Sequence, residues 1–220
     1  MFKLDRTAFR IQTFEEADSH ILYWRTRPVE ERVATMIELT RRAFNIPDGE
    51  ELQIDRSAFR IKSRQMQLFA SRDLREFLEA LNRANVDYLL VGGYAVNVHG
   101  YTRSTGDVDI WVNPTENNYR LLVKAGNYFG LPLGEISLPK FLDTDRYDVF
   151  TFGRPPSAID LMTRVKGLTF DLAYDNSTIY EFDELPIRVI SLRDLLKAKR
   201  AAGRLRDLAD VEQLIKIEEE

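Results

Sequence analysis

The sequence predicts an α+β protein: a sheet flanked by helices, preceded by a small, mostly helical module and closed by helices at the C-terminal end. Three observations carry that expectation. Short apolar runs at 86–91, 108–112, 147–152 and 158–162 have strand length and are bounded by turn residues. Around them apolar residues recur at helical spacing, as in Leu74, Phe77, Leu78 and Leu81. Of 220 residues, 44% are hydrophobic, 30% charged and 11% aromatic, a globular composition that excludes a disordered, collagen-like or coiled-coil chain.

Lys and Arg number 31 against 35 Asp and Glu, a net charge of -4, so any nucleic-acid contact must be local rather than a general cationic coating. Cysteine is absent, which removes disulfides, thiolate metal sites and thiol nucleophiles together. His20 and His99 are the two histidines, too few for a His-rich zinc site, whereas the many carboxylates suit a hard, oxygen-ligated cation such as magnesium. No stretch approaches the ~18–20 apolar residues of a membrane span, and the first residues lack an apolar signal core, so a soluble cytoplasmic protein without membrane contact is expected.

Along the chain the first signal is a duplication: residues 4–11, LDRTAFRI, reappear at 54–61 as IDRSAFRI, with six of eight positions identical. Thr13 and Glu16 form a capping box, Pro28 suits a helix start, and Val29, Val33, Met36, Ile37, Thr40 and Phe44 continue at helical spacing until Pro47-Asp48-Gly49. The two alike ends either pair with each other or add to a sheet edge, or else are a chance echo or a pair of alike helix caps, since short apolar runs do not settle strand against helix. A polar stretch before Met66 marks a boundary, dividing the chain into a module of 1–66 and a domain of 67–220. In the domain, an amphipathic helix leads to the strand at 86–91, which Gly92-Gly93 ends. A short helix through Ala95 and Val98, a turn at Gly100 and the strand at 108–112 follow. Asn113 as N-cap, Pro114 and Glu116 open the next helix. Strands at 147–152 and 158–162 flank Gly153-Arg154-Pro155-Pro156, short strands cover 178–190, and Ser191 with Asp194 begins the terminal helices.

Asp107 and Asp109 lie two apart at the entry to a strand, so both carboxylates leave the same face. Adjacent carboxylates repel unless a divalent cation neutralises them, and magnesium is the natural occupant. Gly92-Gly93 stands at a strand-to-helix junction, where glycine admits close backbone approach and the helix start offers unpaired N–H groups to phosphate. A nucleoside triphosphate brings phosphates and magnesium to one place. Asp160, a lone acid in an apolar strand, is the third candidate, with Asp148 the runner-up. Lys197, Lys199, Arg204 and Arg206 form a basic cluster suited to phosphate oxygens. Lys197 and Arg204 share a face if the helix runs through Gly203, and Arg206 reads best as solvated helix charge. Arg103 either contacts phosphate or pairs with an acid. His99 reads as a helix-end hydrogen bonder, and Tyr94 and Trp111 as core residues.

The residues Val91-Gly92-Gly93-Tyr94-Ala95-Val96, His99-Gly100 and 103–110, RSTGDVDI, resemble the nucleotidyltransferase superfamily whose founding member is DNA polymerase beta, and in particular its small bacterial toxin-like branch. The resemblance covers about 67–217, including the tail at 195–210. It implies a mixed sheet, a magnesium site built by Asp107, Asp109 and Asp160 with Asp160 as base, and nucleotide binding by Gly92, Gly93, Arg103, Lys197 and Arg204. The implied activity is transfer of a nucleotide from a nucleoside triphosphate to an acceptor hydroxyl, a tRNA end or a protein side chain, in a toxin–antitoxin setting. The alternative is a self-inhibited or inactive nucleotide-binding protein in which an antitoxin-like module, 1–66, covers the site.

Overall fold

The computed structural model describes residues 9–12, 24, 26–44, 72–131, 133–154 and 157–219. Seven strands form one mixed sheet in the order β1-β4-β5-β3-β2-β7-β6. The strands are β1 (Phe9–Gln12), β2 (Tyr88–Leu90), β3 (Asp107–Val112), β4 (Val149–Arg154), β5 (Ser157–Met162), β6 (Thr178–Phe182) and β7 (Leu185–Val189). The helices are α1 (Val29–Phe44), α2 (Arg72–Ala84), α3 (Gly92–Val98), α4 (Glu116–Phe129), α5 (Leu138–Leu142), α6 (Phe170–Asp175), α7 (Leu192–Ala202) and α8 (Leu205–Glu219). The expected α+β class is the observed one.

Two parallel pairings, β3 with β5 and β2 with β7, sit among antiparallel neighbours. β4 and β5 form a hairpin and β6 and β7 another. The central strands are buried on both faces, which is why 108–112 and 158–162 read as nearly continuous apolar runs: Ile110, Val112 and Leu161 are all fully buried. α2 turns Leu74, Phe77, Leu78 and Leu81 inward, each worth about 1.5–3 kcal/mol of apolar burial, and leaves Glu76 and Glu79 paired with Arg72 and Arg75 outside. Phe77 packs on Phe129 of α4 with ring centroids 5.3 Å apart.

Several boundaries differ from the sequence expectation. α4 is capped by Thr115 rather than Asn113: the Thr115 hydroxyl accepts from the Asn118 amide at 3.2 Å. The buried Asn118 side chain instead fastens the preceding loop, donating to the carbonyls of Asp87 and Asn113 and accepting from the Asp87 amide. Val91 leaves the strand and becomes the residue before α3. Ser191 does cap α7, accepting from the Asp194 amide. α7 does not run through Gly203, which adopts φ 69° and ends the helix by donating to the Lys199 carbonyl.

Of the duplicated segments, the first supplies β1, which adds antiparallel to the edge of β4 with Phe9 opposite Phe152 and Ile11 opposite Phe150. The second lies outside the described residues, as do the capping box at Thr13 and the boundary at Met66. Among the described residues no helix is long and apolar enough to cross a membrane.

Candidate active site

The strand pairing decides where the acids meet. In the parallel register of β3 and β5, Asp109 lies directly opposite Asp160, while Asp107 stands two residues back on the same strand and hence on the same face. β4 flanks β5 on its other side and puts Thr151 opposite Asp160, whose Oδ1 accepts from the Thr151 hydroxyl at 2.6 Å. Two strands far apart in sequence thus present one acidic face.

Gly92 and Gly93 open α3 beside it. Gly92 has φ +60°, and a Cβ there would fall 1.9 Å from Asp109 Oδ2; one at Gly93 would fall 2.5 Å from Thr105 Oγ1. Glycine is required at Gly92 because the backbone passes against Asp109 itself, and at Gly93 because it passes against Thr105. The Gly93 amide points at Asp109 Oδ2 from 3.4 Å.

These groups line one cavity of about 390 Å³, in which Asp107, Asp109 and Asp160 face Arg103, Lys199, Arg204 and Arg206. Apolar side chains such as Met162, Val165, Ile190 and Leu195 complete the wall. The cationic side is built from α7, α8 and the loop before β3. Lys199 is buried and donates to Asp207 Oδ1 at 2.8 Å and Asp210 Oδ2 at 2.7 Å. Arg103 holds Asp210 with two parallel bonds of 2.6 and 2.8 Å, and Arg204 Nε donates to Asp207.

Electrostatics separates the two sides. Burial, then the charge of Asp109, pushes Asp107 up to about 7, with Arg206 acting against the rise. Burial raises Asp109 as well, offset in part by the Gly93 amide and the cations opposite. Asp160 is pushed well above the usual carboxylate range by burial and by Asp109 and Asp107, although the Thr151 hydrogen bond opposes this. For Asp210 burial also acts upward, but the hydrogen bonds from Arg103 and Lys199 outweigh it and the group ends below its ordinary value.

Crowded carboxylates that resist ionisation are what a divalent cation relieves, and their oxygens suit magnesium. Among the described residues no three acidic or histidine side chains stand ready as a complete metal-binding set. Magnesium does not need one, since it commonly takes one or two carboxylates and fills its octahedron with water and phosphate oxygens. Asp107 and Asp109 fit that role, with Asp160 beside them.

Comparison with known proteins gives loose likenesses in three dimensions. A Thermotoga maritima protein described as a nucleotidyltransferase overlays with a TM-score of 0.43 at 14% identity, over 66% of this chain and 91% of its own. The lincosamide antibiotic adenylyltransferase LnuA, bound to lincomycin, gives 0.44 at 16% identity over 67% and 97%. An antigenic nucleotidyltransferase-like protein from Paracoccidioides brasiliensis gives 0.40 at 16% over 65% and 72%. No family model matches the sequence, and no curated protein does. Overlaps of this size carry no functional weight, so the functional reading rests on the cavity.

The cavity gathers Gly92, Gly93, Arg103, Asp107, Asp109, Asp160 and Arg204 from the sequence expectation and leaves out Lys197, which is exposed on α7. Lys199, two residues on and about 200° around the helix, takes the inward place. Arg206 is exposed, as the reading of it as solvated charge expects, and also lines the cavity. Asp148 is not among the lining residues. Trp111 is buried edge-on against Phe170, a packing role, and His99 at the end of α3 meets the Ile190 carbonyl at 2.8 Å, its pKa lowered by burial, the helix-end hydrogen bonder expected. Sequence reasoning missed Thr151 and the pair Asp207 and Asp210. The i, i+3 spacing of that pair on α8 was the available signal.

Proposed function

We propose that the chain is a magnesium-dependent nucleotidyltransferase that moves a nucleotide from a nucleoside triphosphate to an acceptor hydroxyl. The observation that carries this reading is the facing of Asp109 and Asp160 across β3 and β5, with Asp107 beside them and the Gly92-Gly93 helix start at the same end of the cavity. Magnesium, when bound, supplies charge neutralisation of the phosphates. Asp107 and Asp109 would hold it, and the amide end of α3 would receive phosphate oxygens that the glycines allow to come close. Asp160 takes the proton of the acceptor hydroxyl as its oxygen forms a bond to the α-phosphorus and the bond to pyrophosphate breaks. A base whose affinity for protons is raised by its surroundings suits that step, and the Thr151 hydroxyl fixes how the carboxylate is turned.

The acceptors that fit the sequence resemblance are a tRNA end and a protein side chain, with a toxin–antitoxin setting. Incubation with each α-labelled triphosphate, magnesium and total cellular RNA or protein tests both. Label should enter one fraction, and Asp107→Ala and Asp109→Ala should each lower incorporation by about 10³-fold or more. Undiminished labelling by either variant would remove the assignment.

A second reading has its own observations. β1 pairs with the strand that carries Thr151, and Arg42 of α1 lies within electrostatic reach of Tyr94, as do Asp107 and Asp109. These favour residues 1–66 as a cover over the site, in an antitoxin-like or self-inhibiting role. Their removal would then raise transfer, whereas a segment that only completes the sheet would leave it equal or lower.

A further inference from the structure

The cations of the cavity are not equivalent. Arg103 has both ends of its guanidinium committed to Asp210, Lys199 bridges Asp207 and Asp210, and Arg204 is bound to Asp207. Lys166, which also lines the cavity, is engaged by a neighbour. Arg206 differs. It is exposed, sits in the first turn of α8, and donates from Nη2 to the backbone carbonyl of Ser104 at 2.9 Å; among the described residues it has no carboxylate partner within ion-pair distance.

Its surroundings point to an anion. Arg206 feels the repelling charge of Arg103 and the attraction of Asp210, Asp107 and Asp109. Arg103, Arg206, Asp107 and Asp109 line the same cavity, and a magnesium-bound polyphosphate there would set its cation against the acids and its remaining oxygens against the arginine. The bond to Ser104 anchors the side chain over the loop that leads into Asp107, so the fork is held at the cavity mouth before ligand arrives.

We propose that Arg206 is the residue that contacts the polyphosphate of the nucleotide, while Arg103, Lys199 and Arg204 form with Asp207 and Asp210 the internal brace that seats it. This rests on the nucleotide-transfer reading. It reverses the order suggested by sequence, in which Arg206 had the weakest claim.

The test is calorimetric titration of the full chain with magnesium and inorganic tripolyphosphate, beside a transfer assay. Arg206→Gln should weaken tripolyphosphate binding by roughly 10- to 100-fold, the weight of a charge-assisted hydrogen bond. Lys216→Gln, which removes an exposed charge farther along α8, should stay within about twofold. If Arg206→Gln fails to fold, Arg206→Lys serves: it keeps the charge, loses the fork, and should bind several-fold more weakly, about fivefold. Full affinity in a folded Arg206 variant overturns this assignment while transfer by the unmodified chain still stands. No tripolyphosphate binding and no transfer by the unmodified chain would overturn the nucleotide reading, and Arg206 with it.

Discussion

Acids stand on both sides of the cavity and differ in how their charge is held. On the sheet side, Asp107, Asp109 and Asp160 sit together with a single short hydrogen bond from Thr151 and one longer approach from the Gly93 amide. On the helical side, Asp207 and Asp210 are surrounded by Lys199, Arg103 and Arg204 in a network that satisfies itself. Burial acts upward on the proton affinities of both sets, yet Asp107 ends at about 7 and Asp210 below its ordinary value. The comparison teaches that acids of one residue type become a reactive surface or a structural brace according to whether cations reach them. Under the proposed function the first wall would be completed by a ligand, whereas the second is already paired within itself.

Removing one acid from each wall should break the comparison most visibly. Asp210→Asn strips a nearly fully buried carboxylate from Arg103, which loses its ion-pair partner, and from Lys199, which keeps Asp207, and should cost about 3 kcal/mol of stability in chemical denaturation. Asp109→Asn removes a repelling charge of the same kind and should melt at the same temperature as the parent or higher in magnesium-free buffer, while losing activity. A stable Asp210→Asn, or an Asp109→Asn destabilised as much as it, would erase the distinction between the walls.

A smaller effect sharpens it through pH. Asp107 titrates at about 7 in the fold and near 4 when unfolded, so the folded state binds the extra proton between those values. Its contribution to stability is fully present below about pH 4 and is lost as pH rises through about 7. Asp107→Asn lacks this loss. Without magnesium, the melting temperature of Asp107→Asn should therefore gain on the parent between about pH 5 and about pH 8, and added magnesium should narrow the gap. A gap that shrinks with rising pH contradicts the placement of Asp107 among repelling charges. Asp210 has the opposite sign: the stability it contributes is present above about pH 4 and lost as pH falls below.

The smallest change is expected at Thr151. Thr151→Val keeps the shape of the side chain and removes the hydroxyl on Asp160 Oδ1, so kcat should drop by roughly tenfold, with KM for the nucleotide nearly unchanged and the alkaline shift of the pH–rate profile reporting a still more basic Asp160. An unmoved profile would show that Thr151 does not act through the acid.

How far the site could be read in advance depends on the distance over which each relation acts. Asp107 and Asp109 were legible because two residues on a strand share a face whatever the strand pairs with. Gly92-Gly93 was legible as a break, yet the reason for it, an Asp109 oxygen where a Cβ would stand, needed the packed structure. Lys197 was chosen over Lys199 because the rotation of α7 about its axis is set by which residues its neighbours bury. The shared face of Lys197 and Arg204 failed because Gly203 takes a left-handed conformation and starts a new helix direction. At α4 the competing cap won because Asn118 serves the loop before it.

By itself the sequence determined the class of fold, most of the strands and the longer helices, the acidic pair and the glycine turn, since each follows from local periodicity or backbone sterics, but not the short helices Leu138–Leu142 and Phe170–Asp175. Tertiary structure decided that Asp160 stands opposite Asp109, that β1 completes the edge beside Thr151, and which cations line the cavity paired with Asp207 and Asp210. Those outcomes rest on strand register and helix rotation, which come from the burial of the whole core and leave no mark in any short stretch of residues.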